Sequence, residues 1–239
     1  MKFKILTLFP EMFPGPINHS ITGKALKKKK FQLETINIRD FSINKAKTVD
    51  DTPFGGGAGM IMKADILQSA LTFAKKGFKK NCKIFSLSPS GKKITQSFIK
   101  NLVTSKEIIL ICGRYEGIDQ RFIDYNDIEE ISVGDYILSG GELASFILID
   151  ACVRLIPEVL GNSESLRSES FHDYLLEYSQ YTKPSIWKKL KVPEVLLSGN
   201  HKKISDWRLK NSLEKTKKIR PELYNLFVKE KKRKLWITF

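Results

Sequence analysis

Residues 107–119 read Glu107-Ile-Ile-Leu-Ile-Cys112-Gly-Arg-Tyr-Glu-Gly-Ile-Asp119, and from Ile108 to Cys112 every side chain is apolar. A strand with one wet face alternates. An unbroken run predicts a strand covered on both faces, as in a parallel sheet with helices on each side. Working outward, further strands are predicted at 2–9, 31–38, 83–88 and 128–133. Helices are predicted at 11–26, 63–76, 95–103, 118–123 and 141–156; Ile66, Leu67, Ala70, Leu71 and Ala74 recur at helical spacing. This alternation argues for an α/β domain with a largely parallel sheet over 1–160. Beyond it, 161–172 reads as a polar, serine-rich linker. Residues 173–239 read as a small helical domain, with helices near 185–190, 201–217 and 221–235.

The chain has 239 residues, 41 Lys plus Arg and 26 Asp plus Glu, for a net charge of +15. The excess is concentrated late: residues 161–239 hold 18 basic and 9 acidic side chains, against 23 and 17 in the first 160. Such a segment attracts RNA phosphates or an anionic membrane. A merely lysine-rich surface explains the charge as well, so charge alone names no partner. The membrane reading lacks an apolar amphipathic face near the lysine runs. Cys82, Cys112 and Cys152 form no CxxC pair, which argues against zinc or a disulfide framework. They read as buried thiols of a reducing compartment. The apolar N-terminus is too short for a signal peptide, and no apolar run reaches the roughly 18 residues of a membrane span. A soluble, cytoplasmic protein with no membrane partner is expected.

Three loops follow predicted strands, and ligands of parallel α/β sheets bind at the carboxyl ends of strands. They are Ser88-Pro-Ser-Gly91, Cys112-Gly-Arg-Tyr-Glu-Gly-Ile-Asp119 and Glu130-Ile-Ser-Val-Gly-Asp-Tyr-Ile-Leu-Ser-Gly-Gly-Glu142. The first alone reads as an ordinary turn, the second more as a site than as a turn with helix-capping acids, and the third is the most unusual; together they define one candidate pocket. A fourth loop, Asp50-Asp-Thr-Pro-Phe-Gly-Gly-Gly-Ala-Gly-Met60, is neither a Walker A sequence nor GxGxxG. Its backbone N–H groups suit a phosphate or a base edge, and a flexible surface loop is the plain alternative. His19, His172 and His201 sit in no catalytic pattern and read as surface or cap residues. Trp187, Trp207 and Trp236 interleave with lysines. That pattern fits base stacking; Trp187 and Trp236 read better as core.

Together these strings resemble the TrmD family of bacterial tRNA (guanine-N1)-methyltransferases, knotted methyltransferases of the SPOUT class. The resemblance rests on 50–60, 87–91, 112–119, 130–143, PEVLGN at 157–162, YTKP at 181–184, VPEVLLSGNH at 192–201 and WRLKNSLEKT at 207–216. It covers nearly the whole chain. It implies a deep trefoil knot in 1–160, which no sequence pattern predicts, knots being very rare. It implies S-adenosylmethionine held by Leu87, Ser88, Pro89, Gly91, Gly113, Tyr115, Glu116, Ser132, Val133, Gly134, Asp135, Tyr136, Ile137, Leu138, Gly140 and Gly141. The substrate implied is a tRNA with guanosine at position 37, beside the anticodon. Asp50, Gly57, Gly59, Met60, Lys183, Trp207 and Arg208 are the positions expected to meet it. A homodimer with active sites built by both chains is implied too. Magnesium assists the family's reaction; no dedicated protein site for it is expected.

The chemistry needs few groups. Guanine N1 is a poor nucleophile until its proton is removed or charge on O6 is stabilised. Arg154 matches the family's catalytic arginine. Glu169 stands where the family has an aspartate base, one methylene longer, and Glu177 is the second acid to test. Milder departures are Ala46, Thr52, Phe54, Ala144 and Lys183, the last losing arginine's bidentate fork but not its charge. A related enzyme acting on ribosomal RNA or on a ribose would share the cofactor pocket but not the Asp50–Met60 loop or the tail motifs. A retired, purely RNA-binding protein has only Glu169 in its favour.

Overall fold

The computed structural model describes residues 1–160 and 169–237. Strands β1 (Lys2–Thr7) and β2 (Gln32–Asn37) come first. A short antiparallel pair follows, β3 (Asp50–Asp51) and β4 (Ile61–Met62), then β5 (Lys83–Lys93), β6 (Glu107–Cys112) and β7 (Glu129–Ser132). The five longer strands form one sheet in the order β2-β1-β6-β5-β7, every pairing parallel. The unbroken apolar strand β6 is its centre, as its composition requires. Between the strands run α1 (Ser20–Lys27), α2 (Ala64–Lys75), α3 (Gln96–Leu102) and α4 (Gln120–Tyr125), and α5 (Gly141–Val153) follows β7.

Side chains of a strand alternate between faces, and two cores result. Phe3, Ile5, Ile108, Leu110 and Cys112 pack with Ala25 of α1, Ile99 and Leu102 of α3, and Leu148, Ile149 and Cys152 of α5. Leu6, Ile109 and Ile111 face the other way, onto Ile66, Leu67, Ala70 and Leu71 of α2 and Phe122 of α4. Each such aliphatic chain contributes roughly 1.5–3 kcal/mol of burial.

Several expected bounds change. Residues 11–26 are not one helix: Pro10–Met12 and Gly15–Asn18 are 3-10 turns, and only Ser20–Lys27 is α-helical. Pro10, Pro14 and Pro16 lack the N–H that an α-helix interior needs. Strand β5 runs past Ser88 to Lys93, because after an irregularity between Leu87 and Lys92 it pairs again with β7. The Asp50–Met60 stretch is not all loop, since its first two residues form β3, which pairs with β4 to clamp the base of the glycine-rich run. Helix α5 stops at Val153, not at 156.

The contacts divide the chain into two units, Met1–Gly161 and Asn162–Phe239. Residues 161–168 of the expected linker, and the side chain of Trp236, lie outside the described residues. The second unit holds α6 (Glu194–Leu197), α7 (His201–Ile219) and α8 (Pro221–Ile237). Asn200 caps α7 by accepting from the Lys203 N–H at 3.1 Å. Pro221 starts α8, where a missing N–H costs nothing. An extended segment is strapped to α7 by side chains: Thr216 Oγ1 accepts from Leu176 N at 2.8 Å, and Asn211 Oδ1 from Ser179 N at 2.7 Å.

This unit is not all helix. The helix expected at 185–190 is a hairpin, β8 (Ile186–Trp187) and β9 (Leu190–Lys191). Its two-residue turn puts Lys188 at φ 46° and Lys189 at φ 70°, the positive values that a twisted hairpin requires. So short an apolar run does not separate helix from strand. Trp187 is 60% exposed, so the expectation that it is core fails.

Cys112 and Cys152 are buried and Cys82 half-buried. Burial pushes the Cys112 thiol well up, and pushes Cys152 to about 12. Both therefore stay protonated and shielded. Native protein treated with iodoacetamide at pH 8 should take up at most one label per chain, on Cys82, with the other two reacting only after unfolding. The unfolded thiols ionise near 8.5 while the folded Cys152 does not. Stability is therefore undiminished by this group below about pH 8.5 and falls as pH rises toward 12. Urea midpoints measured across that range check it.

Candidate functional site

The irregularity inside β5 after Leu87 and the carboxyl ends of β6 and β7 open onto one cavity of about 420 Å³. Leu87, Ser88 and Pro89 line it from β5, and Gly113, Tyr115 and Glu116 from the loop after β6. Ser132, Val133, Gly134, Tyr136, Ile137, Leu138, Gly140 and Gly141 line it from β7 and the loop into α5. The three loops singled out in the sequence thus meet in space. Two expected members stand outside the lining. Gly91 sits against the backbone of Glu130 and Ile131, and Asp135 forms an exposed ion pair with Lys93.

What holds the third loop in place is a close approach of backbones. The Gly141 N–H donates to Gly113 O at 3.0 Å. A Cβ on Gly141 would lie 2.7 Å from the Cα of Cys112, and one on Gly140 would lie 2.2 Å from Arg114 Nε. Neither site has room for a side chain. Helix α5 can therefore start directly against the end of β6.

Beneath this contact lies an ion pair. Arg114 Nε donates to Glu142 Oε2 at 2.9 Å, and Glu142 is 1% exposed at its side chain. Thr7 Oγ1 donates to the other oxygen, Oε1, at 2.7 Å. The guanidinium also donates to Ser139 O at 3.1 Å and lies 4.4 Å from the Phe9 ring centroid. Neither partner was among the expected site residues. The available signal is Glu142 itself, a carboxylate at the head of a mostly apolar helix.

The glycine-rich loop is joined to the same place. Glu116 N donates to Met60 O, Met62 N to Gly117 O and Asp119 N to Met62 O, at 2.9 to 3.1 Å. Gly59, at φ 89°, lies so close to Glu116 that a Cβ would sit 2.4 Å from its Cγ. Gly57, Gly59 and Met60 therefore belong to the loop docked beside the cavity, with Asp50 half-buried at its base in β3.

Arg154 is elsewhere. It caps the far end of α5 and lines a second cavity, also about 420 Å³, with Pro16, Ile17, Gln96, Phe146, Ile147, Asp150 and Ala151. Thirteen residues of helix separate it from Gly141, a rise of about 20 Å. In the second unit Glu169 is half-buried, and its carbonyl accepts from His172 N at 3.3 Å. Lys183 is exposed. Trp207 is half-buried against Tyr181, and the Arg208 guanidinium lies 4.8 Å above the Tyr178 ring. Among the described residues, no group of three or more His, Cys, Asp or Glu side chains converges as a metal set, and no helix is long and apolar enough to cross a membrane.

The profile described as tRNA (guanine-1)-methyltransferase TrmD matches residues 1–226. A tRNA (guanine-N(1)-)-methyltransferase of Neorickettsia sennetsu is 52% identical, over 93% of this chain and 98% of its own length. One from Wolbachia pipientis wMel is 53% identical, over 95% and 97%. One from Ehrlichia ruminantium is 54% identical, over 92% and 94%.

Removing one member of a buried pair strands the other. Arg114→Met should cost about 3–5 kcal/mol of stability in urea unfolding, because it leaves the Glu142 carboxylate out of water. Lys93→Met, which breaks the exposed pair with Asp135, should cost less than about 1 kcal/mol. Equal losses for the two would contradict this account.

Proposed function

This chain belongs to the tRNA (guanine-1)-methyltransferase family, and from that premise we propose its full reaction: transfer of the methyl group of S-adenosylmethionine to N1 of guanosine at position 37 of tRNA. One observation carries the reading. Three strand-end loops converge on a cavity of about 420 Å³, within the size of small-molecule sites. The lining fits this donor. It offers glycine and serine backbone for the base and ribose edges, two tyrosine rings, and the Glu116 carboxylate for a cationic group. The family's trefoil knot is part of the proposal. In its support, the chain leaves the sheet through β7 and then inserts the start of α5 against the end of β6.

S-adenosylmethionine supplies an electrophilic methyl on a sulfonium, so transfer needs no covalent enzyme intermediate. Guanine N1 must lose its proton as the new N–C bond forms. Glu169 takes that proton, the extra methylene relative to aspartate being absorbed by its neighbouring chain. Arg154 donates to O6, where negative charge gathers as N1 is deprotonated. The Gly57–Gly59–Met60 loop, held to Glu116, borders the target base. The basic second unit takes the anticodon arm by its phosphates, with Lys183, Trp207 and Arg208 in its binding face; binding therefore weakens with salt.

One chain does not suffice for this chemistry. Arg154 lies about 20 Å of helix from the cavity. A two-fold dimer with α5 helices packed antiparallel would bring each Arg154 to its partner's cavity. Leu143 and Ile147 support this: four apart on α5, they share one face, and both are exposed. The proposed compartment is the cytoplasm, where the substrate is.

The deciding assay uses purified protein with two tRNA transcripts, one with guanosine and one with adenosine at position 37. N1-methylguanosine in the first alone, mapped by nucleoside mass spectrometry, is the expected result; no product in either sinks the reading. Arg154→Ala and Glu169→Gln should each lower kcat at least about a hundredfold with little change in S-adenosylmethionine affinity. Mixing Arg154→Ala chains with Gly141→Leu chains should restore activity that neither has alone. No restoration in exchanged subunits would show that the site is not shared.

A further inference from the structure

We propose that Trp187, on the β8–β9 hairpin, is the platform on which an unpaired tRNA base stacks, with Lys188, Lys189 and Lys191 meeting the neighbouring phosphates. The inference rests on the tRNA reading above and moves the stacking role away from Trp207.

Trp207 already has a ring partner in Tyr181, and Arg208 is laid over Tyr178, so neither presents a bare planar group for stacking within the binding face. Trp187 is different. Every residue from 181 to 191 is exposed. In the hairpin register Trp187 stands directly opposite Leu190, so the two share a face. They are 60% and 68% exposed. An apolar pair this open on a two-stranded ribbon is left without a core to enter.

The charge names the occupant. Residues 183–191 carry Lys183, Lys188, Lys189 and Lys191 and no acid. Lys188 Nζ lies 5.0 Å from the Trp187 ring centroid. The turn is also built at a cost. Lys188 and Lys189 both hold positive φ, a conformation disfavoured for residues with a Cβ and normally given to Asn-Gly. A flat aromatic face ringed by cations matches a splayed base and its phosphates, since every base has a π-face and every linkage a charge.

The test compares Trp187→Ala, Trp187→Phe and Lys188→Gln/Lys189→Gln with wild type, using the full tRNA transcript. Trp187→Ala should raise KM and Kd for tRNA about tenfold, leaving kcat and S-adenosylmethionine affinity unchanged. Trp187→Phe should keep most of the affinity. The double lysine variant should flatten the dependence of log Kd on log salt by about two. In a Trp207→Phe/Trp236→Phe background, where Trp187 is the one tryptophan left, tRNA should quench the remaining fluorescence. Unchanged KM and Kd in Trp187→Ala would overturn the proposal. So would a change of oligomeric mass in that variant, which would make the hairpin a contact between copies of this chain. If wild type binds tRNA but does not methylate it, the catalytic reading fails, while the affinity comparison still decides the stacking.

Discussion

A buried carboxylate has to be paired, and Glu142 is where this structure meets that constraint. Its two oxygens are taken by Arg114 and by Thr7. Those residues come from the start of α5, the loop after β6 and the end of β1. Taking an unpaired carboxylate out of water costs several kcal/mol. The arrangement is therefore stable only when all three segments arrive together, with Ser139 and Phe9 closing around the guanidinium. The pair fixes the loop between β7 and α5, and that loop forms one wall of the cavity. The glycines at 140 and 141 serve the same end, because a side chain at either would push the helix away from the strand.

From that junction α5 carries information outward. Its first turn borders the cavity and its last residue is followed by Arg154. A rigid helix keeps these two groups apart at a set distance. The proposed reaction, which needs both, would therefore use two chains, and the exposed Leu143 and Ile147 lie on the helix that would join them. The separation of cavity and arginine is thus a reason for a shared site, where a single-chain site would have put both at one end of the helix.

The second unit reads differently from the first. Among the described residues its buried side chains are Ser212 and Thr216, neither apolar, and hydrogen bonds accepted by Thr216 and Asn211 tie the 175–180 segment to α7. Aromatic groups are spent partly on this scaffold, as with Tyr181 against Trp207. The hairpin remains open, with Trp187 and Leu190 exposed beside Lys188, Lys189 and Lys191.

The sequence by itself determined the sheet and the loops. Apolar periodicity reports burial: five solid residues in β6 mean two covered faces, and i, i+4 spacing in α2 means one. The three strand-end loops were legible because their residue types are unusual where a strand ends. Tertiary structure alone decided the rest. The pairing of Arg114 with Glu142 joins positions 28 apart in the chain, and no local pattern encodes such a partner. The segment before α1 is broken by prolines that lack the N–H of a helix interior, and the 185–190 hairpin is hidden because a few apolar residues fit either period. Whether Trp187 or Trp207 would be open to solvent depended on what packed against each ring. That is set by contacts between distant segments, which a linear string does not display.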